Sequence, residues 1–159
     1  MQLLASEEYG LRCLLQVARA PDASPVAISQ IAEAEGLSPQ YTAKLMRELR
    51  LGGLVESVRG AEGGYRLARP ADEIDVWSAL QVLGGAFFSE DFCACHGGQQ
   101  RQCVRSSDCS LRALWRAVQA ALRETLEGIA LSDLRRNEAA MNAWLDPVRL
   151  APLGGRLEP

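Results

Sequence analysis

Apolar residues recur at helical spacing over residues 6–19, where Tyr9, Cys13, Leu14, Val17 and Ala18 share one face. Ser6 is placed to cap this helix, and Glu7 and Glu8 sit in its first turn, near the positive end of the dipole. Cys13 reads as a small core residue. The run Pro21-Asp22-Ala23-Ser24-Pro25 breaks the helix. Val26-Ala27-Ile28 then suggests a short strand. Ser29 is the expected cap of a second helix, which keeps Ile31, Ala32 and Ala34 inside and ends at Gly36.

A stronger start signal follows, with Ser38 as N-cap and Pro39 at the first helical position. The helix from Gln40 to Leu51 turns Tyr41, Leu45, Met46 and Leu49 toward the core and leaves Gln40, Lys44, Arg47 and Arg50 outside. Two short helices joined by a glycine turn, the second one basic, form a helix-turn-helix pattern. Leu54-Val55-Glu56-Ser57-Val58 alternates like a strand, 59–64 reads as a turn, and Tyr65-Arg66-Leu67 returns. A hairpin directly after a recognition helix is the wing of a winged helix. Arg59 stands at its tip, where it can reach a minor groove, and Gly60 and Gly63 let the backbone come close to phosphates.

Beyond Pro70, Asp75 caps a helix from Val76 to Leu83. A loop of about 20 residues, long for a compact domain, leads to the longest helix, which begins at Asp108 or Ser110 and runs to about Gly128. Leu111, Leu114, Trp115, Val118, Leu122, Leu126 and Ile129 stripe it. Little of the same chain is left to cover that stripe, so a partner helix and a two-fold homodimer are expected, with partial folding back on the first helix as the alternative. The fold expected is mainly α with a small β-hairpin wing, a winged helix-turn-helix joined to a long dimerisation helix. Residues 1–70 form the DNA-binding domain, 71–92 the connection, 93–109 a cysteine loop, 110–134 the dimerisation helix and 135–159 a weakly helical tail.

Composition adds compartment and chemistry. Of 159 residues, 48% are hydrophobic and 23% charged, as in an ordered globular chain. No apolar run is long enough to span a bilayer, and the N-terminus lacks the basic start and apolar core of a signal peptide. The location expected is cytoplasmic, with no membrane partner. Net charge is −3, yet residues 38–69 carry Lys44, Arg47, Arg50, Arg59, Arg66 and Arg69 against Glu48, Glu56 and Glu62. This local basic excess suits double-stranded DNA.

Four of the five cysteines and the single histidine lie in one segment: Cys93, Cys95, His96, Cys103 and Cys109. In a reducing compartment such clusters are metal ligands or redox thiols rather than structural disulfides. One residue separates Cys93 from Cys95, seven separate Cys95 from Cys103, and five separate Cys103 from Cys109. That is neither a zinc ribbon nor a ferredoxin repeat. Iron–sulfur, zinc and a thiol–disulfide switch all fit the residues, and His96 could add a nitrogen ligand. No nucleophile–base constellation or phosphate loop points to an enzyme.

The stretches Ala27-Ile28-Ser29-Gln30-Ile31-Ala32, Leu37-Ser38-Pro39-Gln40-Tyr41 and Leu54 to Leu67, above all the Val58-Arg59-Gly60…Gly63-Gly64-Tyr65 wing, resemble the IscR/NsrR (Rrf-two) family of bacterial transcription regulators over roughly residues 1–134. The resemblance implies a homodimeric winged helix on promoter DNA, with Ser29, Ser38, Gln40, Tyr41, Lys44, Arg47, Arg50, Arg59, Gly60 and Gly63 as its DNA-facing set. It also implies a 2Fe–2S or 4Fe–4S cluster on a three-cysteine loop whose last two members are spaced like Cys103 and Cys109. In some members an acidic residue near the start of the other subunit's first helix completes ligation, and Glu8 occupies that place here. Cys93 and Cys95 compete for the first position, so Cys93, Cys95, Cys103 and Cys109 together could suffice. A glutamate that helps choose the operator in the family is replaced here by Ala43, so no target sequence carries over.

Overall fold

The computed structural model describes residues 3–60, 62–89, 91–99 and 103–145. Helix α1 (Ala5–Ala18) is the element the head is packed around, touching α2 (Ile28–Glu35), α3 (Pro39–Leu51) and α4 (Val76–Gly84). Its N-cap is Leu4, not Ser6. The Glu7 carboxylate accepts the Leu4 backbone N–H at 2.7 Å, so a side chain inside the first turn satisfies the exposed donor and the cap lies two residues earlier than expected. Cys13, Leu14 and Val17 form the buried face, as the periodicity predicts, joined by Gly10. A Cβ at Gly10 would run into the Leu83 side chain, so the glycine is what lets α1 and α4 meet closely.

Val26 makes only a single antiparallel bridge with Tyr65, at 2.8 and 2.9 Å, rather than a strand through Ile28. Ile28 already opens α2. The cap is Ala27, whose N–H is taken by the Gln30 side chain at 2.9 Å, so Ser29 lies in the first helical turn and does not cap. The two expectations failed for one reason: a glutamate or glutamine three residues into a helix can do the capping itself. Gly36 ends α2 at φ 66°, a left-handed turn that glycine adopts without strain. Ser38 caps α3 as expected, its hydroxyl accepting from the Tyr41 N–H at 3.2 Å.

The underside of α3 buries Thr42, Leu45, Met46 and Leu49. Strands β1 (Val55–Val58) and β2 (Gly64–Leu67) pair antiparallel, with Val55 opposite Leu67 and Glu56 opposite Arg66. Asp75 caps α4 by accepting the Ser78 N–H at 2.7 Å.

The expected loop contains one helical turn, α5 (Phe92–Cys95). It leads into α6 (Ser110–Glu127), the longest helix described. After α6 the chain returns beside residues 74–76: Val76 N–H donates to the Ile129 carbonyl at 2.9 Å, and Leu131 N–H to that of Ile74 at 2.7 Å. This return buries Ile74 and Leu131 and closes the core. A short helix α7 (Glu138–Trp144) follows, and the tail expected over 146–159 lies outside the described residues. No helix among the described residues is long and apolar enough to cross a membrane.

Candidate functional site

The basic face is built on α3 and the hairpin. Gln40, Lys44, Arg47 and Arg50 are exposed, and their spacing sets them within one arc of α3, opposite the buried stripe. Ser29 is exposed in the first turn of α2. Ser38 is exposed, but its hydroxyl is engaged as the cap of α3. The Tyr41 ring meets the Tyr9 ring edge-on at 6.2 Å, which ties it to α1. Arg59 and Gly60 are exposed at the hairpin turn, where Gly60 takes φ 118°. At Gly63 a Cβ would strike the Val58 and Gly60 backbone. Ala61, in the same turn, lies outside the described residues. Arg66, counted in the basic excess, is paired with Glu56 at 2.5 Å on the strand surface.

Behind this face an ion pair holds the first helices together. Arg12 Nε donates to Glu35 at 2.6 Å and its Nη2 to the Glu35 carbonyl at 3.2 Å, while Gln16 donates to the same carboxylate. The hydrogen bond to Glu35 is the main cause that raises the Arg12 pKa above its ordinary value. Sequence reasoning passed over Glu35, whose partner lies 23 positions away and carries no local signal.

The second site lies at the start of α6. Cys93, His96, Cys103 and Cys109 line one cavity of about 180 Å³ with Phe88, Phe92, Leu111 and Trp115, and Arg105 and Arg112 complete its wall. Each part is tied down separately. Phe88 N–H donates to the Gln119 side chain at 2.7 Å, and Arg112 Nη1 donates to the Ser106 carbonyl at 2.9 Å, both anchoring the loop to α6. Phe88 packs on Phe92 at 5.2 Å, and Phe87 meets Trp115 at 6.3 Å. Cys109 occupies the N-cap position of α6, where the helix dipole favours negative charge such as a ligating thiolate carries.

Cys95 is exposed and is not part of the cavity wall. Neither is Glu8, which is exposed on α1 and whose charge acts on Arg12 one turn along. All five cysteines are free thiols.

Among the described residues no three histidine, cysteine or carboxylate side chains converge closely enough for a single metal ion. Three thiols and one imidazole are a donor set that iron–sulfur clusters accept, and imidazole replaces thiolate in some of them. The apolar wall and the two arginines suit a negatively charged thiolate-bound centre. The residues therefore fit such a cluster.

A family model described as Rrf2, iron-dependent transcriptional regulator, matches residues 4–137. The chain is 36% identical over 134 residues to the HTH-type transcriptional regulator IscR of Aliivibrio salmonicida, covering 84% of this chain and 77% of that protein. Its fold is similar to that of CymR, described as the global cysteine regulator of B. subtilis, with TM-score 0.67 and 29% identity over 84% of this chain and 95% of the other. It is likewise similar to T. potens IscR, with TM-score 0.65 and 32% identity over 84% and 85% of the two chains.

Proposed function

The chain belongs to the Rrf2 family of iron-dependent transcriptional regulators, and from that premise we propose that it binds promoter DNA as a homodimer under the control of an iron–sulfur cluster held at the start of α6. The observation that carries this reading is the meeting of three cysteines and the sole histidine in one cavity at that point. When bound, the cluster supplies an iron centre that responds to iron supply, oxidants or nitric oxide.

The chain's own residues supply the coupling. The Phe88–Gln119 and Arg112–Ser106 hydrogen bonds make the order of the loop and the position of α6 interdependent. Helix α6 packs on α4, and α4 packs on both α1 and the recognition helix α3. A change in the loop thereby shifts the balance between positions of α3. Lys44, Arg47, Arg50 and Arg59 contact phosphates and grooves, and the two-fold axis repeats the contact on a palindromic site. A protein of this kind works in a reducing, cytoplasmic setting.

The second reading is a cluster-free thiol switch on the same scaffold. The placing of the thiols of Cys93, Cys103 and Cys109 around one cavity favours it, as does the likeness of fold to CymR.

Anaerobic purification with a visible spectrum and counts of iron and sulfide separates the two. The expected result is a brown protein whose chromophore is lost in Cys103→Ala and in Cys109→Ala. A protein that stays colourless and iron-free after anaerobic reconstitution would overturn the cluster reading and leave the thiol switch.

A further inference from the structure

Three consecutive residues at the end of α4 each meet a different part of the head. Val82 lies so close to Gly52, the C-cap of α3, that a Cβ there would strike its side chain. Gly52 has φ −78°, which any residue adopts, so space and not backbone conformation requires the glycine. Leu83 fills the corresponding notch at Gly10 on α1, and the Glu7 side chain lies over Gly84. Only residues 85–87 then separate Gly84 from Phe88. Phe88 is buried, lines the cysteine cavity and donates its N–H to the Gln119 side chain of α6 at 2.7 Å. Beside it, Phe87 meets Trp115 of the same helix. Residues 82–88 thus run from the end of the recognition helix to the cavity wall within one protomer. Close-packed contacts pass a displacement on instead of absorbing it, so this end of α4 cannot shift without moving α3 or opening the Gly52 notch.

We propose that the state of the cysteine cavity sets the recognition helix through residues 82–88, with Phe88 seated in the cavity wall and Val82 as the positioning residue for α3. This rests on the reading that the cavity controls DNA binding, and it applies equally to a cluster and to a thiol switch. Val82 belongs neither to the cavity wall nor to the exposed basic face, yet the response to the cavity requires it.

The test measures affinity for a duplex enriched from a random pool by the wild-type protein. The loop is either reduced and metal-free, reconstituted anaerobically with iron and sulfide, or oxidised with diamide. In the wild type, affinity is expected to change by about tenfold or more between the reduced state and at least one of the others. Val82→Ala should bring that ratio to about twofold or less, because a gap at Gly52 absorbs the displacement. Gly52→Ala/Val82→Ala refills the gap from the α3 side and should recover the ratio. Gln119→Ala releases Phe88 at the other end and should also lower the ratio, which decides the matter if Val82→Ala folds poorly. A purely structural weakening would instead lower affinity in every state and keep the ratio. Linkage demands the reverse effect too: in metal-free protein the duplex should alter the alkylation rates of Cys93, Cys103 and Cys109, and should not do so in Val82→Ala. A wild-type ratio retained in Val82→Ala or in Gln119→Ala would overturn the route through 82–88 and leave cavity control standing. An uncoupled Val82→Ala that Gly52→Ala does not restore would overturn the Gly52 contact as the cause. A wild type with one affinity in all three states would bring down cavity control itself, and this inference with it.

Discussion

Burial pushes the Cys13 thiol up to about 11 from an ordinary value of 9.0, and the Glu35 carboxylate adds to the shift. Below about pH 9 the thiol is protonated in both the folded and the unfolded chain and gives no pH dependence. Between about 9 and about 11 the unfolded chain has released a proton that the folded chain keeps, so stability falls as pH rises through that window. Urea midpoints are expected to drop across it more steeply in the wild type than in Cys13→Ala. Equal slopes would mean that Cys13 titrates alike in both states. The same burial separates Cys13 from the loop thiols: periodicity alone marks it as core, whereas Cys93 and Cys95 look equivalent in one dimension. Thr42 was missed as a core residue, because a threonine itself gives no apolar signal; its hydroxyl is buried without a hydrogen-bond partner.

At the scale of elements, the hairpin register decides which cations can serve the DNA. Cross-strand pairing sets Arg66 against Glu56, so its charge is largely spent within the wing. Arg59 is exposed at the turn. Replacing Arg59 with alanine is expected to weaken promoter binding and lower the slope of affinity against salt by about one ion, with iron content unchanged. An unaltered salt slope would count against a wing contact. The helices were legible because their stop and start signals are local: Gly36, then Ser38-Pro39, then Asp75. Their first residues were less so, since Glu7 and Gln30 cap from inside their own helices.

For the whole molecule, α6 is the element left incomplete. None of its residues is fully buried, and Leu111, Leu114 and Trp115 stand 57%, 50% and 39% exposed. Covering side chains of this size yields about 1.5–3 kcal/mol each, enough for a few such contacts to sustain a dimer. Leu114→Asp is expected to turn the proposed dimer into a folded monomer, read by sedimentation, with DNA affinity down more than about tenfold. A variant that still sediments as a dimer would exclude this face as the interface. The amphipathic stripes, the caps of α3 and α4, the hairpin and the gathering of thiols before α6 were determined by the sequence alone, because each depends on residues within a few positions of one another. Three things were decided only in three dimensions: the closure of the core by Ile74 against Leu131, the Arg12–Glu35 tie, and the turn of α5 that sets Cys93 and His96 on the cavity wall and leaves Cys95 off it. They depend on long-range contacts or on the phase of a single helical turn, which composition and spacing do not encode.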